Sequence, residues 1–149
     1  MAKSYCNLLY HIVFSTKGRE PWLEADIRPR CHEYLGGAIR SEGGVALIVG
    51  GTADHVHILA KLRQDKAVAD VVRDIKANSS GWFHRTFRRT AFAWQAGYGA
   101  FSVSFSQLET VRAYIERQAE HHRRADFKKE YVALLTRNGV EYDERSLWD

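Results

Sequence analysis

Apolar residues along the first 104 positions of this 149-residue chain repeat with two periods in turn, and that order constrains the fold more than any single residue. From Ser4 to Thr16, Cys6, Leu8, Tyr10, Ile12 and Phe14 alternate with Asn7, His11 and Ser15, the period-two signature of a strand with one dry face. Lys17-Gly18-Arg19 ends it. Leu23, Ile27, Cys31, Tyr34 or Leu35, and Ala38 or Ile39 then keep helical spacing. Pro29 fits only in a first turn, which starts that helix near Asp26, and Gly43-Gly44 stops it. Val45 to Gly50 is an apolar strand, Gly51-Thr52-Ala53-Asp54 a turn, and His55 to Leu62 the second arm of a hairpin. Val68, Val71, Val72, Ile75, Trp82 and Phe83 mark a second helix whose far end Gly81 obscures. Phe92 to Ser104 reads as a fourth strand, bulged around Gly97 and Gly99.

The run is β-α-β-β-α-β, the pattern of a ferredoxin-like, four-stranded antiparallel sheet in an α+β fold. Such a sheet carries both helices on one face and leaves the other free for a ligand. Two more helices follow. Ser106-x-x-Glu109 is a capping box opening a helix to about Arg123, and Phe127, Tyr131, Leu134 and Leu135 mark another that Asn138-Gly139 ends. Tyr142, Leu147 and Trp148 are expected to dock the tail. With no internal repeat, residues 1–149 are expected to form one domain. No apolar run approaches the roughly 18 residues of a membrane span, and the region around Lys3 lacks the apolar core of an export signal. Cys6 and Cys31 are isolated, which suggests neither a disulfide framework nor a zinc knuckle and favours a reducing cytosol.

The net charge is +4, and it is unevenly spread. Arg73, Lys76, Arg85, Arg88 and Arg89 face a single acid, Asp74, across one segment that also holds Trp82 and Phe83. Cations interleaved with aromatics suit a nucleic-acid groove, where phosphates are neutralised and bases stack; a solvated helix face over core aromatics accounts for the segment equally well.

His55-Val56-His57 places two imidazoles on one side of a strand, about 7 Å apart. Val56, Ile58, Ala60 and Leu62 anchor its other side. Two imidazoles suit magnesium, manganese or zinc alike, and two ligands leave the open positions a catalytic ion needs. On the helix after Ser106, Leu108, Val111, Ile115, Ala119 and His122 form an apolar stripe. Tyr114 and Gln118 share its edge, beside Arg117 and His121. A phenol is a poor nucleophile unless its target is activated, and a phosphodiester on a divalent cation is activated in that way. Metal, basic segment and tyrosine together suggest transesterification of a nucleic-acid phosphodiester.

The stretch Ala53-Asp54-His55-Val56-His57-Ile58-Leu59 is similar to the HUH motif. Together with Tyr10-His11-Ile12-Val13-Phe14-Ser15-Thr16-Lys17, the segment from Trp94 to Ser104, Tyr114-Ile115-x-x-Gln118 and the ending Gly139 to Asp143, it resembles the insertion-sequence-200-like single-tyrosine transposases over nearly the whole chain. That resemblance implies a divalent metal, Mg2+ or Mn2+, on His55, His57 and Gln118. It implies Tyr114 as a nucleophile that cleaves and rejoins single-stranded DNA through a 5′-phosphotyrosine, without ATP. It further implies hairpin recognition at element ends and a homodimer whose sites join the histidines of one subunit to the tyrosine helix of the other, in the cytoplasm of a bacterial or archaeal cell. No Gly occurs between Gly99 and Gly139, so a hinge for such an exchange falls to Ser102, Ser104 and Ser106. Lys17, Arg19, Arg73, Lys76 and Arg85 are the expected DNA contacts. Asp54 is expected to shape its turn, His11 to be structural or hairpin-contacting, and His121 to approach the scissile phosphate. Other expectations are a domesticated relative acting on chromosomal palindromes, a non-catalytic single-strand binder, and a phosphodiesterase using water.

Overall fold

The computed structural model describes residues 2–118 and 126–149. Four strands, β1 (Leu8–Ser15), β2 (Val45–Gly51), β3 (His55–Leu62) and β4 (Gly99–Val103), form one sheet in the order β2-β3-β1-β4. Every neighbouring pair is antiparallel. Helices α1 (Arg28–Ser41) and α2 (Val68–Phe87) connect them as expected of a ferredoxin-like fold, and α3 (Leu108–Glu116) and α4 (Phe127–Arg137) follow. Pro29 lies in the first turn of α1, where its missing N–H has no helical partner to lose. Gly51 closes the β2–β3 hairpin with φ 143°, and a Cβ there would lie 2.2 Å from the His55 carbonyl oxygen. Among the described residues no helix is long and apolar enough to cross a membrane.

The alternation along the strands divides the sheet between two cores. Ile12, Phe14, Val56, Ile58 and Ala60 point to the side covered by α1 and α2, where they meet Leu35, Ile39, Val72, Ile75 and Phe83. Val13 and Phe101 point the other way and pack with Phe127, Tyr131, Leu134 and Leu135 of α4. The second face is therefore covered, not free: the apolar stripe of α4 needs a surface to bury against, and Val13 and Phe101 supply it. Leu147 and Trp148 join this core as expected. Tyr142 does not dock and is 40% exposed.

Several boundaries differ from the sequence reading. The first strand begins at Leu8 rather than Ser4, leaving Cys6 exposed. Helix α2 continues through Gly81 to Phe87, because Phe83 is fully buried and stacks on Phe92 at 3.9 Å. That packing outweighs the roughly 1 kcal/mol a mid-helix glycine costs. The fourth strand is short. Residues 92–98 make only an isolated bridge, Thr16 to Trp94, while the ammonium of Lys76 takes the carbonyls of Gln95, Ala96 and Gly97. No bulge lies at Gly97 or Gly99; the register shift falls between Ala46 and Ile48. The capping box is absent as well. Phe105–Gln107 is a 3-10 turn, Ser106 Oγ pairs with Ser104 Oγ at 2.9 Å, and α3 begins without a side-chain cap. Asp126 caps α4 through the Lys129 N–H.

Candidate metal and tyrosine site

The register of β3 against β1 sets His55 opposite Ser15 and His57 opposite Val13. Both imidazoles are fully buried on the face that α3 and α4 cover. Two glycines let those helices approach. A Cβ on Gly50 would lie 2.7 Å from Ile115 Cγ2 in α3, and one on Gly99 would lie 2.9 Å from Tyr131 Cε1 in α4. Small residues at these two points of the sheet are what bring Tyr114, Gln118 and Glu130 down to the histidines.

Four side chains converge there. His55 Nε2 lies 2.9 Å from Gln118 Oε1 and 3.5 Å from Glu130 Oε1. His57 Nε2 lies 2.9 Å from the same Glu130 oxygen, and the Gln118 amide donates to Glu130 Oε2 at 3.3 Å. The Phe127 ring stacks on His55 at 3.9 Å and fixes its plane. Each imidazole is held at its far nitrogen. His55 Nδ1–H donates to Asp54 Oδ1 at 2.8 Å, and Thr52 Oγ1 donates to that same oxygen. His57 Nδ1 pairs with His11 Nε2 at 2.8 Å.

The electrostatics follow from this packing. Burial, aided by the neighbouring His57, lowers the pKa of His11 to about 3, so it is a neutral imidazole able to donate or accept at Nε2. Burial opposes a charge on His55 too, but hydrogen bonds to Asp54, Glu130 and Gln118 outweigh it and hold its pKa above the ordinary histidine value. His55 Nε2 thus faces acceptors that call for a cation. A metal ion at His55 Nε2 competes with a proton for the same lone pair.

Tyr114 completes the group. Its ring lies edge-on to His57 at 5.7 Å and to His11 at 6.1 Å, all within one chain. Burial, then the charge of Glu130 and a hydrogen bond to it, raise the phenol above the usual tyrosine range; Gln118 and Arg137 act in the opposite sense.

His55, His57 and Glu130 can hold a metal ion, each offering one ligand atom within 4.8 Å of the others. Donors about 2.1 Å from an octahedral ion sit roughly 3 Å apart along an edge. The observed separations of 2.9 and 3.5 Å suit such a grip, and two imidazoles with one carboxylate are donors that divalent first-row cations accept.

A family model described as "Transposase IS200 like" matches residues 4–118. The chain belongs to that family. Two solved structures share its fold. One is a crystal structure of a candidate transposase from Deinococcus radiodurans R1, with TM-score 0.64 and 21% identity, covering 79% of this chain and 96% of that one. The other is a REP-associated tyrosine transposase bound to a REP hairpin, with TM-score 0.56 and 12% identity, covering 82% of this chain and 71% of that one. No curated protein sequence matches the chain.

In this IS200-like transposase the expected DNA contacts are dispersed. Lys17 is exposed just beyond β1, at the sheet end where His55 lies, and the Arg19 guanidinium rests on Trp148 at 4.8 Å. Arg73, Lys76 and Arg85 belong to α2, behind the sheet from the histidines. Arg73 is paired with Asp70 and Asp74, and Lys76 is a strut under residues 95–97; Arg85 is exposed. His121 lies outside the described residues. The residue the sequence reading missed is Glu130. The available signal was a carboxylate three residues after Phe127 and four before Leu134, on the apolar side of α4 where charge is costly without partners.

Asp54 also does more than shape the hairpin turn, since its carboxylate fixes the tautomer that presents His55 Nε2. Replacing it by asparagine is expected to weaken manganese binding about 10- to 100-fold, measured by isothermal titration calorimetry, with the fold intact by circular dichroism.

Proposed function

We propose that this transposase cleaves and rejoins single-stranded DNA through a covalent link to Tyr114, in a site complete within one chain. The observation that carries this reading is the convergence of Tyr114, Gln118 and Glu130 on the His55–His57 pair. His55, His57, Gln118 and Glu130 are the residues to hold Mg2+ or Mn2+. Such a cation, when bound, polarises a phosphodiester and offsets the charge developing on it.

The chain's own groups supply the rest. Tyr114 bonds through its phenolic oxygen to phosphorus, and its proton passes to Glu130, with which it shares a hydrogen bond. The P–O3′ bond breaks, and the departing 3′-oxygen takes up a proton to become a hydroxyl. The 5′-phosphate stays on the tyrosine until another 3′-hydroxyl displaces it, so bond energy is conserved and no ATP is needed. His11 and Asp54 hold the imidazoles in orientation throughout.

The structural neighbour bound to a REP hairpin supports hairpin DNA as the substrate class, either at insertion-sequence ends or at chromosomal palindromes. Inverted repeats flanking the gene would separate the two. The homodimer implied by the sequence resemblance then holds two DNA ends instead of supplying half of each site, and the protein acts in the cytoplasm on the nucleoid.

The test uses 3′-labelled single strands tiling both flanks of the gene, with manganese or with chelator. An SDS-resistant adduct that appears with manganese alone supports the reading. Metal-indifferent binding without adduct would identify a binding module, and cleavage leaving a free 5′ end would identify hydrolysis by water; either overturns it.

A further inference from the structure

A cavity of about 520 Å³ opens between edge strand β4, α3 and the C-terminal end of α4, with Tyr114 in its wall. Its apolar lining includes Phe101, Val111 and Leu134, and its polar lining includes the Gln107 amide. Among the described residues lining it there is no Asp or Glu, and the one cation is Arg137. Arg137 is exposed and lies two helical turns after Glu130, on the same side of α4. Its charge acts on Tyr114 in the sense opposite to that of Glu130. Phe105, 73% exposed, stands in the 3-10 turn that also carries Gln107.

We propose that this cavity receives the unpaired nucleotide next to the scissile phosphate, with its base against Phe101, Val111 and Leu134 and a backbone phosphate on Arg137. The inference rests on the reading of Tyr114 as nucleophile. The volume lies in the range of small-molecule sites, roughly 300–1,000 Å³, so it suits a splayed-out nucleotide and excludes a duplex. Flat apolar walls accept a base face of any identity, whereas the Gln107 amide can pair with a base edge and bias the choice. An acid-free rim with one guanidinium complements a single phosphate. Phe105, exposed in the same 3-10 turn as Gln107, is the ring assigned to stack on the following base.

The same 3′-labelled strands are used with the parent protein, Arg137→Gln, Arg137→Lys and Thr110→Trp, the last placing a bulky ring on an exposed lining position. Arg137→Gln is expected to raise KM for adduct formation about tenfold or more, as loss of a charge-assisted contact does. The slope of log Kd against log salt should fall by about 0.7, one single-strand phosphate contact. Manganese affinity should stay at the parent value, Arg137→Lys should recover most of the loss, and Thr110→Trp should slow adduct formation. A 4-thiothymidine next to the cleaved bond should photo-crosslink to a peptide holding Phe101 or Val111. Parent-like KM and salt slope in Arg137→Gln, or crosslinks only to α2, would overturn the inference while the adduct itself stands. Absence of any adduct with the parent protein would instead overturn the reading of Tyr114.

Discussion

Tyr114→Phe is expected to fold, to bind manganese and to retain single-stranded DNA, yet to form no covalent adduct. The substitution removes one oxygen from a half-buried ring whose edge faces His57 and His11, so the packing that places the ring survives. The lost hydrogen bond to Glu130 costs about 1 kcal/mol of stability. Chemistry is affected far more. Removing a nucleophile abolishes the bond it forms, and the rate of adduct formation should fall at least about 10⁴-fold. Quantifying SDS-resistant adduct against a filter-binding curve for the same strand separates the two effects. Undiminished adduct would place the nucleophile elsewhere.

His57→Ala is expected to lose both metal and cleavage. His57 Nε2 is one of three ligand atoms grouped around the site, and it is also the partner of the Glu130 carboxylate at 2.9 Å. Its removal takes away a ligand, leaves His11 without its imidazole partner, and strips one of the groups that stabilise a buried negative charge. Manganese affinity should drop at least about 100-fold, and adduct formation should become undetectable. Because an alanine also leaves a cavity in a fully buried position, His57→Gln, closer in volume, serves as the companion variant. It should keep the parent melting behaviour more closely while still losing metal. Parent-like manganese binding in both variants would remove His57 from the ligand set.

The parts of this molecule legible in its sequence are those fixed by local periodicity. The third strand begins at His55 and ends at Leu62 in both readings, because Val56, Ile58, Ala60 and Leu62 leave no other register for a half-dry strand. The same alternation puts His55 and His57 on one face. A helix from Ser106 to about Arg123 would set Tyr114 and Gln118 on one edge; α3 instead ends at Glu116, with Arg117 out of helical geometry, and Gln118 lies beyond that break, 2.9 Å from His55. Legibility ended where the answer depended on which surfaces meet. Periodicity predicts two helices after the sheet, but their destination on its second face depends on Gly50 and Gly99 lacking a Cβ, which no periodicity records. Glu130 was invisible for that reason: its role appears only once α4 lies across the histidines. Lys76 illustrates the converse. Its charge suggested a phosphate contact, while the fold uses it for three backbone carbonyls and the faces of Phe14 and Tyr98. Local charge says that a cation exists; tertiary structure says what it neutralises.

The most direct measurement is peptide mass spectrometry of the manganese-dependent adduct after nuclease trimming. A nucleotide mass, attached through a 5′-phosphate, is expected on the tryptic peptide containing Tyr114. A nucleotide on any other residue, or cleaved DNA with no nucleotide-bearing peptide, would contradict the reading of Tyr114 as nucleophile.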